Sequence, residues 1–103
     1  MSFERPTVTS NKPYKVTPVF SEVTLPAALR NAHSTKAGVW GVIRVLEGRL
    51  DYVIEETGKL HLLDPHTPGL VLPQEAHRVE PVGAMKMRVE FHHAFPSDFA
   101  AAT

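Results

Sequence analysis

The stretch Val39-Trp-Gly-Val-Ile-Arg-Val-Leu-Glu-Gly-Arg-Leu-Asp-Tyr-Val-Ile-Glu55 decides the fold. Its first half, Val39 to Leu46, is rich in β-branched residues, which suit a pleated backbone better than a helix. Glu47-Gly48-Arg49 interrupts it. In the second half Leu50, Tyr52 and Ile54 fall on one face, and Asp51 and Glu55 on the other. Two strand patterns joined at a glycine predict a hairpin, with Gly48 supplying the turn angles.

The same punctuation continues toward the C-terminus. Thr57-Gly58-Lys59 reads as a turn into a strand over Leu60 to Leu63, and Asp64-Pro-His-Thr-Pro-Gly69 as a dense turn. Leu70 to Leu72 reads as a short buried strand stopped by Pro73. His77 to Pro81 reads as another, and Val82-Gly83-Ala84 as a turn into Met85 to His92. In that last strand Val89 and Phe91 face one way, and Arg88, Glu90 and His92 the other. Toward the N-terminus, Tyr14 to Phe20 contains Pro18, which lacks an N–H, so it reads as an edge strand or a broken one. Leu25 to Ala32 stays open. Ala27 to Arg30 are good helix formers, whereas a strand would put Leu29, Asn31 and His33 on one face. Seven or eight short strands with no long amphipathic helix predict an all-β domain, a sandwich or barrel. Residues 1–13 read as a flexible arm, 14–93 as one domain and 94–103 as a tail.

Composition narrows the function. The 103 residues suit one domain with a modest core, and dimerisation would hide more apolar area. Eleven basic residues balance eleven acidic ones, which gives no electrostatic footprint for nucleic acid. No run is apolar and long enough to span a bilayer, and no secretory leader is visible, so a cytoplasmic protein is expected. The absence of cysteine excludes disulfides, thiolate nucleophiles and cysteine-ligated metal. No Gly-x-Ser-x-Gly elbow and no phosphate-binding glycine loop is present, so no organic cofactor is indicated.

Six histidines are the main chemical asset, because histidine is both a common metal ligand and an acid–base group. His33 approaches the first strong strand, His77 follows a proline-initiated turn, and Glu90 sits within an apolar strand. Converging inside a barrel, these three could hold zinc, iron or manganese facially, with positions open to water or substrate. Each also has a plainer reading: a hydrogen-bonded histidine beside a turn, or a glutamate paired with Arg88 or Lys86. Trp40, Arg88 and His92 are candidate ligand-binding residues, Trp40 by packing or stacking and Arg88 as an anion contact. His61, His66 and His93 read as structural. No catalytic residue stands out.

Four ordered blocks then carry a family resemblance: His33-Ser-Thr-Lys-Ala-Gly-Val-Trp-Gly41, Val45-Leu-Glu-Gly48, Pro73-x-x-x-His77-Arg-Val-Glu-Pro81 and Val89-Glu-Phe91. Together they resemble the TehB/YeaR-like small cupin family, which includes the N-terminal part of tellurite-resistance protein TehB. The resemblance spans roughly Phe20 to His92. It implies a cupin-type antiparallel β-barrel, a strand over residues 27–33, and His33, His77 and Glu90 in the barrel mouth. The chain departs from general cupins at two points. Thr35 stands where a second histidine of the first motif would be, and Gly41 where its glutamate would be.

The expected function is therefore a small stand-alone cupin that binds a divalent metal or a small ligand, in a tellurite, oxyanion or nitrosative stress response. Two alternatives stand beside it. One is a metal-dependent oxygenase or isomerase. The other is a metal-free, dimeric binding module with His33 and His77 apart. A small molecule or anion is the expected partner. The resemblance places the methyltransferase part of TehB beyond this chain.

Overall fold

The computed structural model describes residues 9–10, 12–96 and 99. In chain order the elements are β1 (Thr9–Ser10), β2 (Lys15–Val16), β3 (Phe20–Ser21), α1 (Ala27–Arg30), β4 (Trp40–Ile54), β5 (Lys59–Leu63), β6 (Gly69–Val71), β7 (His77–His92) and β8 (Phe95–Pro96). The protein is all-β, as its periodicity predicts. The arm expected over 1–13 and the tail expected over 94–103 fall partly outside the described residues. Of them, β1 and β8 pair in parallel, Thr9 opposite Phe95 and Ser10 opposite Pro96.

Two long strands organise the rest. β4 and β7 run antiparallel from Trp40 opposite His92 to Ile54 opposite His77. The hairpin expected at Gly48 and the turn expected at Val82–Ala84 are therefore corrected. Each glycine lies inside a continuous strand. Gly48 and Gly83 both have positive φ, 77° and 75°, so the left-handed geometry expected of Gly48 is present. It bends the strands rather than reversing them. The β4–β7 register slips between Val45 and Glu47 and again between Glu47 and Arg49, as β-bulges do. A Cβ on Gly48 would lie 2.3 Å from the Ala84 carbonyl oxygen, so the β7 backbone occupies the space of a side chain.

The sheet path is β2-β7-β4-β5, with β3 also on β7 and β6 also on β4. Among the described residues this path is open, and the pairing does not close it into a barrel. The strand pattern over Tyr14 to Phe20 breaks around Pro18 into β2 and β3, where a residue without an N–H interrupts the ladder. Residues 27–33 do not form the strand that the family resemblance implies. Ala27–Arg30 is one helical turn, in line with its propensity, and His33 joins β7 through an isolated bridge to His77.

The concave side of the curled sheet holds the core. Ile43, Val45, Leu50, Tyr52, Leu63 and Met87 are buried there with their neighbours. Each fully buried aliphatic side chain contributes about 1.5–3 kcal/mol. Tyr52 hides its ring and donates its hydroxyl to the Leu70 carbonyl at 2.9 Å. Burial, with a smaller contribution from Glu75, raises the affinity of that hydroxyl for its proton far above the usual tyrosine range. Among the described residues, no helix is long and apolar enough to cross a membrane.

Candidate functional site

A cavity of about 330 Å³ opens on the concave side. β7 lines it twice, with His77 and Val79 near its start and with Met87, Val89 and Phe91 near its end. A straight strand would hold His77 and Phe91 about 46 Å apart. The bends in β4 and β7 are thus what create the site. Ile43 of β4 and Val71 of β6 complete the apolar wall, and the segment after α1 supplies His33, Ser34, Thr35 and Lys36. Gly41 leaves room at this wall, since a Cβ there would crowd the Val71 Cβ at 3.2 Å.

His33 and His77 meet here. Their backbones exchange two hydrogen bonds, His33 N–H to His77 O at 3.0 Å and His77 N–H to His33 O at 2.8 Å. Their ring centroids are 4.2 Å apart, with planes tilted by 53°. His33 Nδ1 bonds the Asn31 carbonyl and His77 Nδ1 bonds the Glu75 carbonyl, each at 2.9 Å. Burial lowers the proton affinity of His77, the Glu75 carbonyl partly restores it, and His33 lowers it further. Two more bonds fix the loop that brings His33 in. Thr35 Oγ1 donates to the Val39 carbonyl at 2.7 Å, and Gln74 N–H donates to the Thr35 carbonyl at 3.1 Å.

Glu90 is elsewhere. It alternates with Val89 and Phe91, so its side chain leaves the opposite, outer face of β7. Its carboxylate accepts from Arg44 Nε and from Arg88 Nη2, both at 3.2 Å. Among the described residues, no group of three or more His, Asp or Glu side chains could hold a metal. The expected His33/His77/Glu90 metal centre is therefore corrected: strand alternation separates the carboxylate from the imidazoles. Trp40, Arg88 and His92 lie on Glu90's face and do not line the cavity. Trp40 packs edge-on to Phe95, with centroids 6.5 Å apart, and His92 is buried. The arrangement expected of the metal-free alternative, two histidines apart, is not found either.

Sequence reading missed Lys15, Lys36, Val71 and Val79 as lining residues. The alternation of Val89 and Phe91 marked the apolar wall, but nothing local showed which residues would close over it.

A small antiparallel β-domain with a ligand-sized cavity is the class that this fold and site define. The TehB-like domain profile matches residues 15–89, and the chain belongs to the TehB-like family. It is 41% identical over 73 residues to the probable S-adenosyl-L-methionine-dependent methyltransferase TehB of Haemophilus influenzae strain Rd, covering 65% of this chain and 25% of that protein. The protein of the same name from strain 10810 is 40% identical over the same length and shares. The chain thus spans about a quarter of the length of these relatives. The crystal structure of Haemophilus influenzae TehB superimposes with a TM-score of 0.70 at 28% identity, covering 87% of this chain and 38% of that one. A structure from Escherichia coli K12 shares the fold, with a TM-score of 0.73 at 18% identity, over 84% of this chain and 95% of its own.

These relatives overturn the expected metal-binding cupin function and the metal-dependent oxygenase or isomerase alternative. Their names give methyl transfer, not a metal. They also overturn the expectation that no organic cofactor is involved, since S-adenosyl-L-methionine is in the name. The cavity described here does not fit that cofactor. Among the described residues Lys15 and Lys36 line it and no aspartate or glutamate does, so these residues offer nothing acidic to the sulfonium or to ribose hydroxyls.

Proposed function

We propose that this chain is a small-molecule-binding β-domain that serves a methyltransferase system by holding the methyl acceptor in its cavity. The observation that carries this reading is the 330 Å³ space walled by apolar side chains and bordered by the His33–His77 pair. Cavities of this size, apolar with a few convergent polar groups, are the usual form of small-ligand sites. The relatives' names suggest the chemistry, and the mismatch with a sulfonium cation supports reading the cavity as a site for the acceptor rather than the donor. The curled sheet around the cavity is read as a cupin-type, jelly-roll-like architecture that has lost closure.

The test is a titration with indole and 1-naphthol followed by amide spectra. The amides of Val71, Val79 and Val89 are expected to shift in the native chain and to stay still in Val79→Phe, which fills the cavity. S-adenosyl-L-methionine is expected to leave them unmoved. The reading fails if neither aromatic probe shifts these amides, or if S-adenosyl-L-methionine does so more strongly.

A further inference from the structure

The two histidines sit in matched surroundings. Each follows an alanine, in Asn31-Ala-His33 and Glu75-Ala-His77, and each folds its ring back onto the carbonyl two residues earlier. A carbonyl oxygen only accepts hydrogen bonds, so both Nδ1 atoms must carry a proton and donate. A neutral imidazole has one proton. In both rings Nε2 is then the nitrogen left with a lone pair, free to accept from a ligand.

The surroundings of His77 favour its neutral form. Burial and the neighbouring His33 disfavour a proton on His77, and among the described residues Lys15 and Lys36 are the other charged groups that line the cavity. Both are cations and disfavour a further positive charge on a ligand. The site therefore presents two adjacent acceptors, with ring centroids 4.2 Å apart, beside an apolar wall. Two acceptors side by side have no stabilising contact with each other until something donates to them.

Resting on the acceptor-binding reading above, we infer that the cavity selects a non-cationic molecule with an apolar body that brings an O–H donor to His33 and His77, and that it therefore prefers an unmethylated acceptor to the methylated product. Methylation replaces the donor hydrogen with a methyl group. The product keeps its apolar body and loses the one group that the paired Nε2 atoms recognise. A site built to pair a ligand hydroxyl rejects an analogue lacking it, because its own polar atoms are then left unpaired.

Phenol, anisole and benzoate are the probes, titrated at pH 7.5 and read from cavity amides. Phenol has the donor, anisole is its methyl ether, and benzoate carries charge without a donor. Phenol is expected to bind at least about fivefold more tightly than anisole, the worth of one ordinary hydrogen bond. His33→Phe and His77→Phe each keep a ring without nitrogen and are expected to reduce that preference toward unity. His33 is only half-buried, so its variant tests the idea even where His77→Phe folds poorly. Equal binding of phenol and anisole overturns the donor inference and leaves the ligand-binding reading standing. Tighter binding of benzoate than of phenol overturns it as well, since an anion would then be what the site selects. A phenol preference unchanged in both variants also overturns it. Binding of none of the three overturns the acceptor-binding reading itself.

Discussion

On the outer face of β4 and β7, Glu90 closes onto Arg44 and Arg88, and its carboxylate is satisfied from within the chain. On the inner face, His33 and His77 each give one nitrogen to the backbone and keep the other for whatever enters the cavity. His77 and Glu90 belong to the same strand, β7, on opposite sides of its alternation. On the outer face Glu90 pairs with the two arginines and holds the structure. The inner face leaves two unspent and can recognise a ligand. A charged residue within an apolar strand is thus no guide to a site until its face is known.

Breaking the outer face should give the largest effect on stability. Glu90→Ala leaves two guanidinium groups facing each other across the register Arg44–Arg88. With those side chains 30% and 39% exposed, solvent screens part of the repulsion, and the expected loss is about 2 kcal/mol, below the figure for a fully buried pair. Urea denaturation measures it, and phenol affinity of the folded fraction should be unchanged. If ligand binding falls with Glu90, the two faces are not independent.

Filling the inner face should do the reverse. Val79→Phe is expected to cost about 1–2 kcal/mol through overpacking and to abolish binding of aromatic probes. Calorimetric titration alongside thermal melting separates the two readouts. Restored or improved binding in this variant would mean that ligands bind outside the cavity.

The smallest expected effect is on pH dependence. Burial, reinforced by His33, lowers the proton affinity of folded His77 below that of the unfolded chain. The unfolded state then takes up more protons, so stability rises with pH through this window. His77 should therefore weaken the fold as pH falls below its ordinary value of 6.5 toward the lower folded one, and have no further effect above that range. Melting curves from pH 5 to pH 8 should show a shallower acid limb in His77→Phe than in the native chain. An acid limb identical in both would remove His77 as its source.

Much of the fold was legible because strand alternation and turn residues are local. The alternation of Val89 and Phe91 against Glu90 and His92 is the one observed. The metal expectation placed Glu90 with the imidazoles against that alternation, which already put it on the other face. Gly48 and Gly83 show where local reading ends. A hairpin and a bulge both call for a glycine with positive φ. Which of them forms depends on whether Ala84 and Met85 lie against Gly48, more than thirty residues away in the chain. The pairing of His33 with His77 is of the same kind. The repeated x-Ala-His pattern is visible in the sequence, but only the backbone bridge brings its two copies together. The helix at Ala27–Arg30 followed its own propensity, and the family resemblance pointed the other way.

The most direct test is a two-bond ¹H–¹⁵N correlation spectrum of the histidine rings, recorded near pH 7.5 with and without phenol. The account predicts that His33 and His77 are both protonated at Nδ1 and bare at Nε2. It also predicts that phenol moves their Nε2 resonances while leaving those of His61 and His66, which do not line the cavity, in place. Protonation at Nε2 in either ring, or Nε2 signals that ignore phenol while other sites respond, would contradict it.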